Sequence, residues 1–299
     1  MSAQQLRRGV VLLALLSLFW GLNWPAMKLV LAEMPVWTFR ALCLVIGGAG
    51  LLATAALLGQ RVRLLPGEIR PVFVCCLFNM IGWHLLSGYG ISLIEAGRAA
   101  IIGYTMPLWA AVLGPLMLSE RLTADRLVGL ALGTAGLLVL LTEDLGALGR
   151  SPLGTLAMLG AAFTWALGLV LTKGYRLSLP VLSFAGWQLA FASPFVVAGA
   201  LAIEGWPSFA LSTDAWLALI YAIVVAMLFC HWLWFSIVAL LPAVLASIGT
   251  LGIPVVGLLS SALLLGEPLG WRQFLALALV AAGLAVVLVL PALRRQAAA

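Results

Sequence analysis

The chain has 299 residues, of which 64% are hydrophobic and 9% charged, with a net charge of +6. A soluble domain carries roughly 25% charged residues, so this composition excludes a water-soluble globule, which could not cover its surface. The basic residues stand singly at the ends of apolar runs, so the positive charge reads as membrane topology and excludes a nucleic-acid-binding patch.

Lipid offers no partners for backbone N–H and C=O groups, which leaves a helical bundle or a closed barrel. The apolar runs are continuous over about 20 residues, without the period of two that a barrel strand needs. The expected fold class is therefore all-α integral membrane protein. Ten transmembrane helices are predicted near residues 9–32, 36–58, 70–93, 97–118, 126–142, 152–173, 180–203, 214–239, 242–265 and 270–290. Arg7 and Arg8 precede the first run as in a signal peptide, but no A-x-A-like cleavage site follows, so the run reads as a retained helix.

On that first helix Trp20, Asn23, Trp24 and Met27 share one face by i, i+3, i+4, i+7 spacing, with Gly21 and Pro25 expected to loosen the backbone. The 59–69 connection is the longest and too short for a soluble domain. The third helix carries Asn79, Trp83 and Ser87 at four-residue spacing, with His84 on the flank. Pro107 interrupts the fourth, just after Tyr104, and Gly129, Gly133 and Gly136 line the fifth. The sixth helix aligns Met158, Ala161, Trp165, Gly168 and Thr172, and the seventh groups Phe184, Trp187, Gln188 and Phe191. The eighth groups Met227, His231, Trp234 and Phe235. In the ninth, Ser247 and Thr250 precede Pro254, and the tenth presents Ala278, Ala282 and Gly283.

A shift of 147 residues puts His84 on His231, Pro107 on Pro254, Glu120 on Glu267 and Gly136 on Gly283, while a shift of 145 puts Trp20 on Trp165 and Lys28 on Lys173. The chain is thus expected to hold two five-helix repeats, 1–147 and 148–299. Five is odd, so the second repeat enters the membrane from the opposite side, as in inverted-repeat carriers with a midplane site. With both termini cytoplasmic, 11 of the 16 basic residues fall on the cytoplasmic side; the opposite side keeps Lys28, Arg40, Arg98, Arg150 and Arg272. The split obeys the positive-inside rule.

No H-E-x-x-H, G-x-S-x-G or G-x-x-x-x-G-K-[ST] motif occurs, so no catalytic residue, metal or cofactor is assigned. Cys43, Cys75, Cys76 and Cys230 lie inside apolar segments and read as small buried hydrophobes. All ten acids fall at helix ends or in loops. That argues against a carboxylate-driven proton antiporter and toward facilitated diffusion, with His84 and His231 the titratable groups left at depth. Each histidine can be a pH-sensitive group or a neutral, hydrogen-bonded packing residue. Trp37, Trp206, Trp216 and Trp271 fit an interfacial belt. Other tryptophans lie deeper, where an indole N–H needs a partner.

The candidate substrate site is therefore an aromatic cavity with sparse neutral polar groups, suited to a ligand with an apolar part and a small polar head. Its predicted members are Trp20, Asn23, Trp24, Trp83, His84, Tyr104, Trp165, Trp187, Gln188, His231, Ser247 and Thr250. Pro107 and Pro254 are predicted mid-helix breaks, either exposing backbone to substrate or kinking without ligand contact. The small-residue faces of helices 5 and 10 read as scaffold and also suit a homodimer.

Trp20-Gly-Leu-Asn-Trp-Pro-Ala-Met-Lys28, the paired Pro107 and Pro254, and Glu120 and Glu267 closing helices four and nine resemble the EamA-type transporters of the drug/metabolite transporter superfamily. The resemblance covers nearly the whole chain and implies an inverted-repeat exporter of amino acids, metabolites or cationic drugs. The second repeat departs from it, with Ala166 where the first has Gly21. The aromatic lining resembles the bacterial aromatic amino-acid exporter branch. That implies a multi-pass protein of the cell inner membrane whose partners are the lipid bilayer and a small-molecule substrate, an amino acid or else an amphiphilic cation held by cation–π contacts.

Overall fold

A computed structural model of the chain describes residues 3–93, 99, 102–119, 122–141, 152–175, 177–266 and 270–286. Within them the helices follow the expected order. They are α1 (Ala3–Leu31), α2 (Val36–Leu57), α3 (Pro66–Cys76 continued to Leu93), α4 (Met106–Leu118) and α5 (Ala124–Leu141), then α6 (Pro152–Tyr175), α7 (Val181–Ile203), α8 (Thr213–Tyr221 continued to Leu240), α9 and α10 (Trp271–Leu284). The ninth is split into α9a (Ala243–Gly249) and α9b (Gly252–Leu265). The start of the predicted 97–118 span, residue 142 and residues 287–290 lie outside the described residues, as do Glu120 and Glu267.

Six of these runs are long and apolar enough to cross a membrane, and α4 and α9b are shorter apolar helices. The outer surface is as oily as the interior: Leu57 is 88% exposed, Leu116 76% and Leu263 85%. In water such a surface would aggregate; against acyl chains it costs nothing, so lipid is the solvent the sequence was built for.

The packing pairs helices across the repeats. α2 lies along α7, α1 along α9b, α4 along α6 and α5 along α10. Gly21 owes its place to the second of these contacts, because an added Cβ would come 2.5 Å from Val256 Cβ. Close approach, not a loosened backbone, is its role, and the matching Ala166 is fully buried without needing to be glycine. Where α5 meets α10, a Cβ on Gly283 would stand 2.8 Å from the Gly129 carbonyl oxygen. The glycine faces proposed for a dimer are thus spent inside the chain, while Ala278 and Ala282 remain exposed.

Two features depart from regular helix. α3 and α8 each contain a π-helical stretch, Leu77–Gly82 and Ala222–Phe229, one repeat length apart. Such widened turns shift the phase of the following side chains and leave carbonyls open to other donors. The breaks in the fourth and ninth spans fall before their prolines, at Tyr104–Thr105 and Thr250–Leu251. Pro107 and Pro254 sit in the first turn of the second segment, where a missing N–H leaves no bond unmade. The mid-helix interruption expected from the sequence is therefore a helix start.

Candidate functional site

α1, α2, α3, α6, α8 and the two broken spans converge on a cavity of about 60 Å³, room for a few ordered waters. α1 contributes Trp20, Asn23, Trp24 and Met27, the face read from its spacing. α3 adds Trp83, His84, Ser87 and Ile91. The broken spans bring Tyr104, Met106 and Ile253, while Trp165, Met227 and His231 come from α6 and α8 and Arg40 from α2.

Matching positions of the two repeats meet here. Trp20 and Trp165 touch edge to face, ring centroids 5.7 Å apart, and the His84 and His231 rings stack at 6.3 Å. Trp234, fully buried, lies 6.0 Å from Trp20 and 5.7 Å from Trp165. Together the three indoles form one aromatic cluster, of which Trp20 and Trp165 line the cavity. Trp83 extends the wall, its ring 5.0 Å from Trp165, and Trp24 meets Tyr104 at 6.1 Å farther along α1.

The π-helical turn of α8 supplies the main polar anchor. The Ala226 carbonyl accepts from Trp20 Nε1 at 3.1 Å and from His231 Nδ1 at 3.0 Å. Since the acceptor is a carbonyl, His231 must carry its proton on Nδ1. Nothing in composition or spacing signals a π turn, so this acceptor was invisible in the sequence.

Other polar atoms have no such partner. Both ring nitrogens of His84, the Asn23 Oδ1 and the Arg40 Nε are buried without a hydrogen bond among the described residues. Arg40, placed by sequence among the outer topological charges, is instead 3% exposed in the cavity wall. Its Nη2 donates to Ser87 Oγ at 3.3 Å and its guanidinium lies 5.3 Å from the Phe39 ring centroid.

Three predicted members fall elsewhere. Trp187 Nε1 donates to the Val62 carbonyl at 2.7 Å, tying α7 to the α2–α3 connection. Gln188 Oε1 accepts from Asn79 Nδ2 at 3.0 Å in the packed interface of α3, α6 and α7. Thr250 is fully buried at the break before α9b and lies outside the cavity wall. The Ser247 side chain lies outside the described residues.

At the helix ends the repeats are latched to each other. Glu204, ending α7, accepts from the Trp37 and Thr38 amides and from Thr38 Oγ1, each at 2.8 Å, and so caps the α2 N-terminus that Pro35 cannot cap. Glu33 accepts from the Ser212 amide at 2.7 Å and its hydroxyl at 2.6 Å, which holds the Glu33 carboxyl below its ordinary pKa. At the opposite end Arg61 makes a two-pronged bond to Glu68, both arms 2.7 Å, and Ser178 Oγ donates to the same carboxylate.

The EamA-like transporter family matches residues 7–142 and again 152–289. The uncharacterized transporter YoaV of Bacillus subtilis is 24% identical over 92% of this chain and 95% of its own. A protein of Escherichia coli K12 described as a probable amino-acid metabolite efflux pump is 28% identical over 93% of this chain and 94% of its own. A crystal structure of another chain superposes with a TM-score of 0.78 over 97% of this chain and 99% of that one; at 23% identity it bears on the fold alone. Two consecutive matches span nearly all of the helical bundle, and this chain belongs to the EamA-like transporter family.

Proposed function

We propose that this transporter exports small metabolites, amino acids including aromatic ones foremost, by alternating access around the cavity between its repeats, 1–147 and 148–299. The observation that carries the reading is the pairing of an indole-lined cavity with unpartnered polar atoms at its wall, Asn23 Oδ1, His84 and Arg40 Nε. An amphiphile with one apolar and one polar end satisfies both. The Escherichia coli relative's description as an amino-acid metabolite efflux pump supports the same class. Bacterial relatives and the basic-residue split support an inner-membrane location with both termini cytoplasmic. A homodimer would have to use the exposed Ala278 and Ala282 instead of the glycines already packed.

No carboxylate lines the cavity among the described residues, which supports facilitated diffusion over proton coupling. The quaternary-ammonium reading gains from the indoles and loses from Arg40, a like charge in the same wall. The deciding experiment is counterflow in liposomes with labelled phenylalanine, threonine and a quaternary ammonium cation. Saturable flux of the amino acids alone is the expected result; flux of the cation alone would select the rival. Uphill movement under an imposed pH gradient would rule out facilitated diffusion.

A further inference from the structure

We propose that the Arg40 guanidinium is the docking point for a carboxylate on the transported molecule, with Asn23 receiving the ammonium group of an amino acid. The inference rests on the cavity being the transport site, as argued above, and adds the chemistry by which that site selects.

Arg40 lies one turn into α2, is 3% exposed, and opens onto the cavity. A guanidinium does not lose its proton on burial, so the charge stays. Unpaired burial of a charge costs several kcal/mol, and the contacts present do little to offset it. The hydroxyl of Ser87 is a neutral acceptor at a long 3.3 Å, Phe39 offers only its ring, and Nε has no acceptor among the described residues. Among the described residues no carboxylate pairs with Arg40. The planar N–H fork matches a carboxylate with two parallel bonds, which an entering ligand would provide.

Asn23 makes the complementary case. It is 8% exposed, lines the same cavity from α1, and its Oδ1 accepts no hydrogen bond among the described residues. A free amide oxygen suits an ammonium donor. With the indoles of Trp24 and Trp83 for the apolar part, the wall matches the chemistry of a zwitterion or an aryl monocarboxylate, for which the cavity must widen. An amine lacking the carboxylate would meet Arg40 as a repelling charge.

Binding to the purified full chain can be followed by tryptophan fluorescence, using L-phenylalanine, 3-phenylpropionate and phenethylamine as probes. The expected result is that both carboxylates bind, with phenethylamine at least about tenfold weaker. Arg40→Gln should weaken both carboxylates by about 10- to 100-fold, the range for bonds to a charged group, and leave phenethylamine unchanged or tighter. Arg40→Lys, which keeps the charge without the fork, should fall between; it also carries the test if the glutamine variant does not fold. Equal binding of phenethylamine and phenylpropionate to the native chain overturns the proposal, as does an unchanged ratio in both variants or no binding of either carboxylate. Carboxylate binding that depends on Arg40 without any phenylalanine counterflow would remove the transport reading and keep the Arg40 assignment. Phenylalanine counterflow with a ratio indifferent to Arg40 would do the reverse.

Discussion

His84 and His231 occupy matching places in the two repeats and stack on each other, yet His231 is bonded to the Ala226 carbonyl while neither nitrogen of His84 has a partner among the described residues. The difference extends across the cavity. The second repeat contributes Trp165, Met227, His231 and Ile253 to its wall; Asn23, Arg40, Ser87, Tyr104 and the rest come from the first. A duplicated architecture has therefore been divided in labour. The first repeat brings most of the cavity's polar side chains, whereas the second brings bulk, one unpartnered nitrogen at His231 Nε2, and a π-turn carbonyl that holds the first repeat's Trp20.

The sharpest way to break this contrast is through the indoles. Trp165 is 4% exposed and touches Trp20, Trp83, Trp234 and His231, so Trp165→Ala should cost about 3–5 kcal/mol, the range for a large buried ring. Trp83 is only half-buried, and Trp83→Ala should cost clearly less stability while still impairing flux. Thermal unfolding in detergent beside liposome counterflow separates the two effects. Equal losses of stability would erase the distinction between framework and ligand wall.

A smaller effect tests the latches, where each repeat lends an acid to the other. Glu204→Ala removes three hydrogen bonds from an α2 N-terminus with no side-chain cap of its own. A lost cap costs about 0.5–2 kcal/mol, which should appear as a lowered midpoint of thermal unfolding. Smaller again is the histidine difference. His231→Ala should be more destabilising than His84→Ala by about 1 kcal/mol, one hydrogen bond's net worth, whereas His84→Ala should act on flux. Matching stabilities would mean that the Ala226 bond contributes nothing.

The parts of this arrangement that regular helix geometry governs could be read from the sequence. All four residues of the α1 stripe, Trp20, Asn23, Trp24 and Met27, line the cavity, because α1 runs unbroken and its 100° step carries the face to the same side. The same reasoning failed on α3. Asn79, Trp83 and Ser87 keep four-residue spacing, but the π turn between them rotates the helix, so Asn79 faces Thr172 and Gln188 while the other two face the cavity. Trp187 and Gln188 were misplaced for another reason. Their partners, the Val62 carbonyl and Asn79, are remote in sequence, and no local pattern announces them. Arg40 was misread because positive-inside counting places a charge along the chain without saying which way its side chain turns.

The Glu33 latch can be tested by pH. Glu33 stands in solvent beyond the end of α1, and its carboxylate is favoured by the hydroxyl and amide of Ser212. Its folded pKa therefore lies below its unfolded value. The resulting stabilisation is fully present above the unfolded value, near 4.5, and is lost as pH falls through the lower, folded one. Glu33→Gln should flatten that acid limb of the unfolding midpoint and leave the profile above about pH 6 nearly untouched, since a glutamine oxygen can still accept one of the two bonds. Ser212→Ala removes the hydroxyl donor and should shift the same limb toward higher pH. An acid limb identical in the native chain and both variants would show that Glu33 binds Ser212 without coupling it to folding. The acids bonded across the repeats and coupled to folding would then be sought at Glu204 and Glu68.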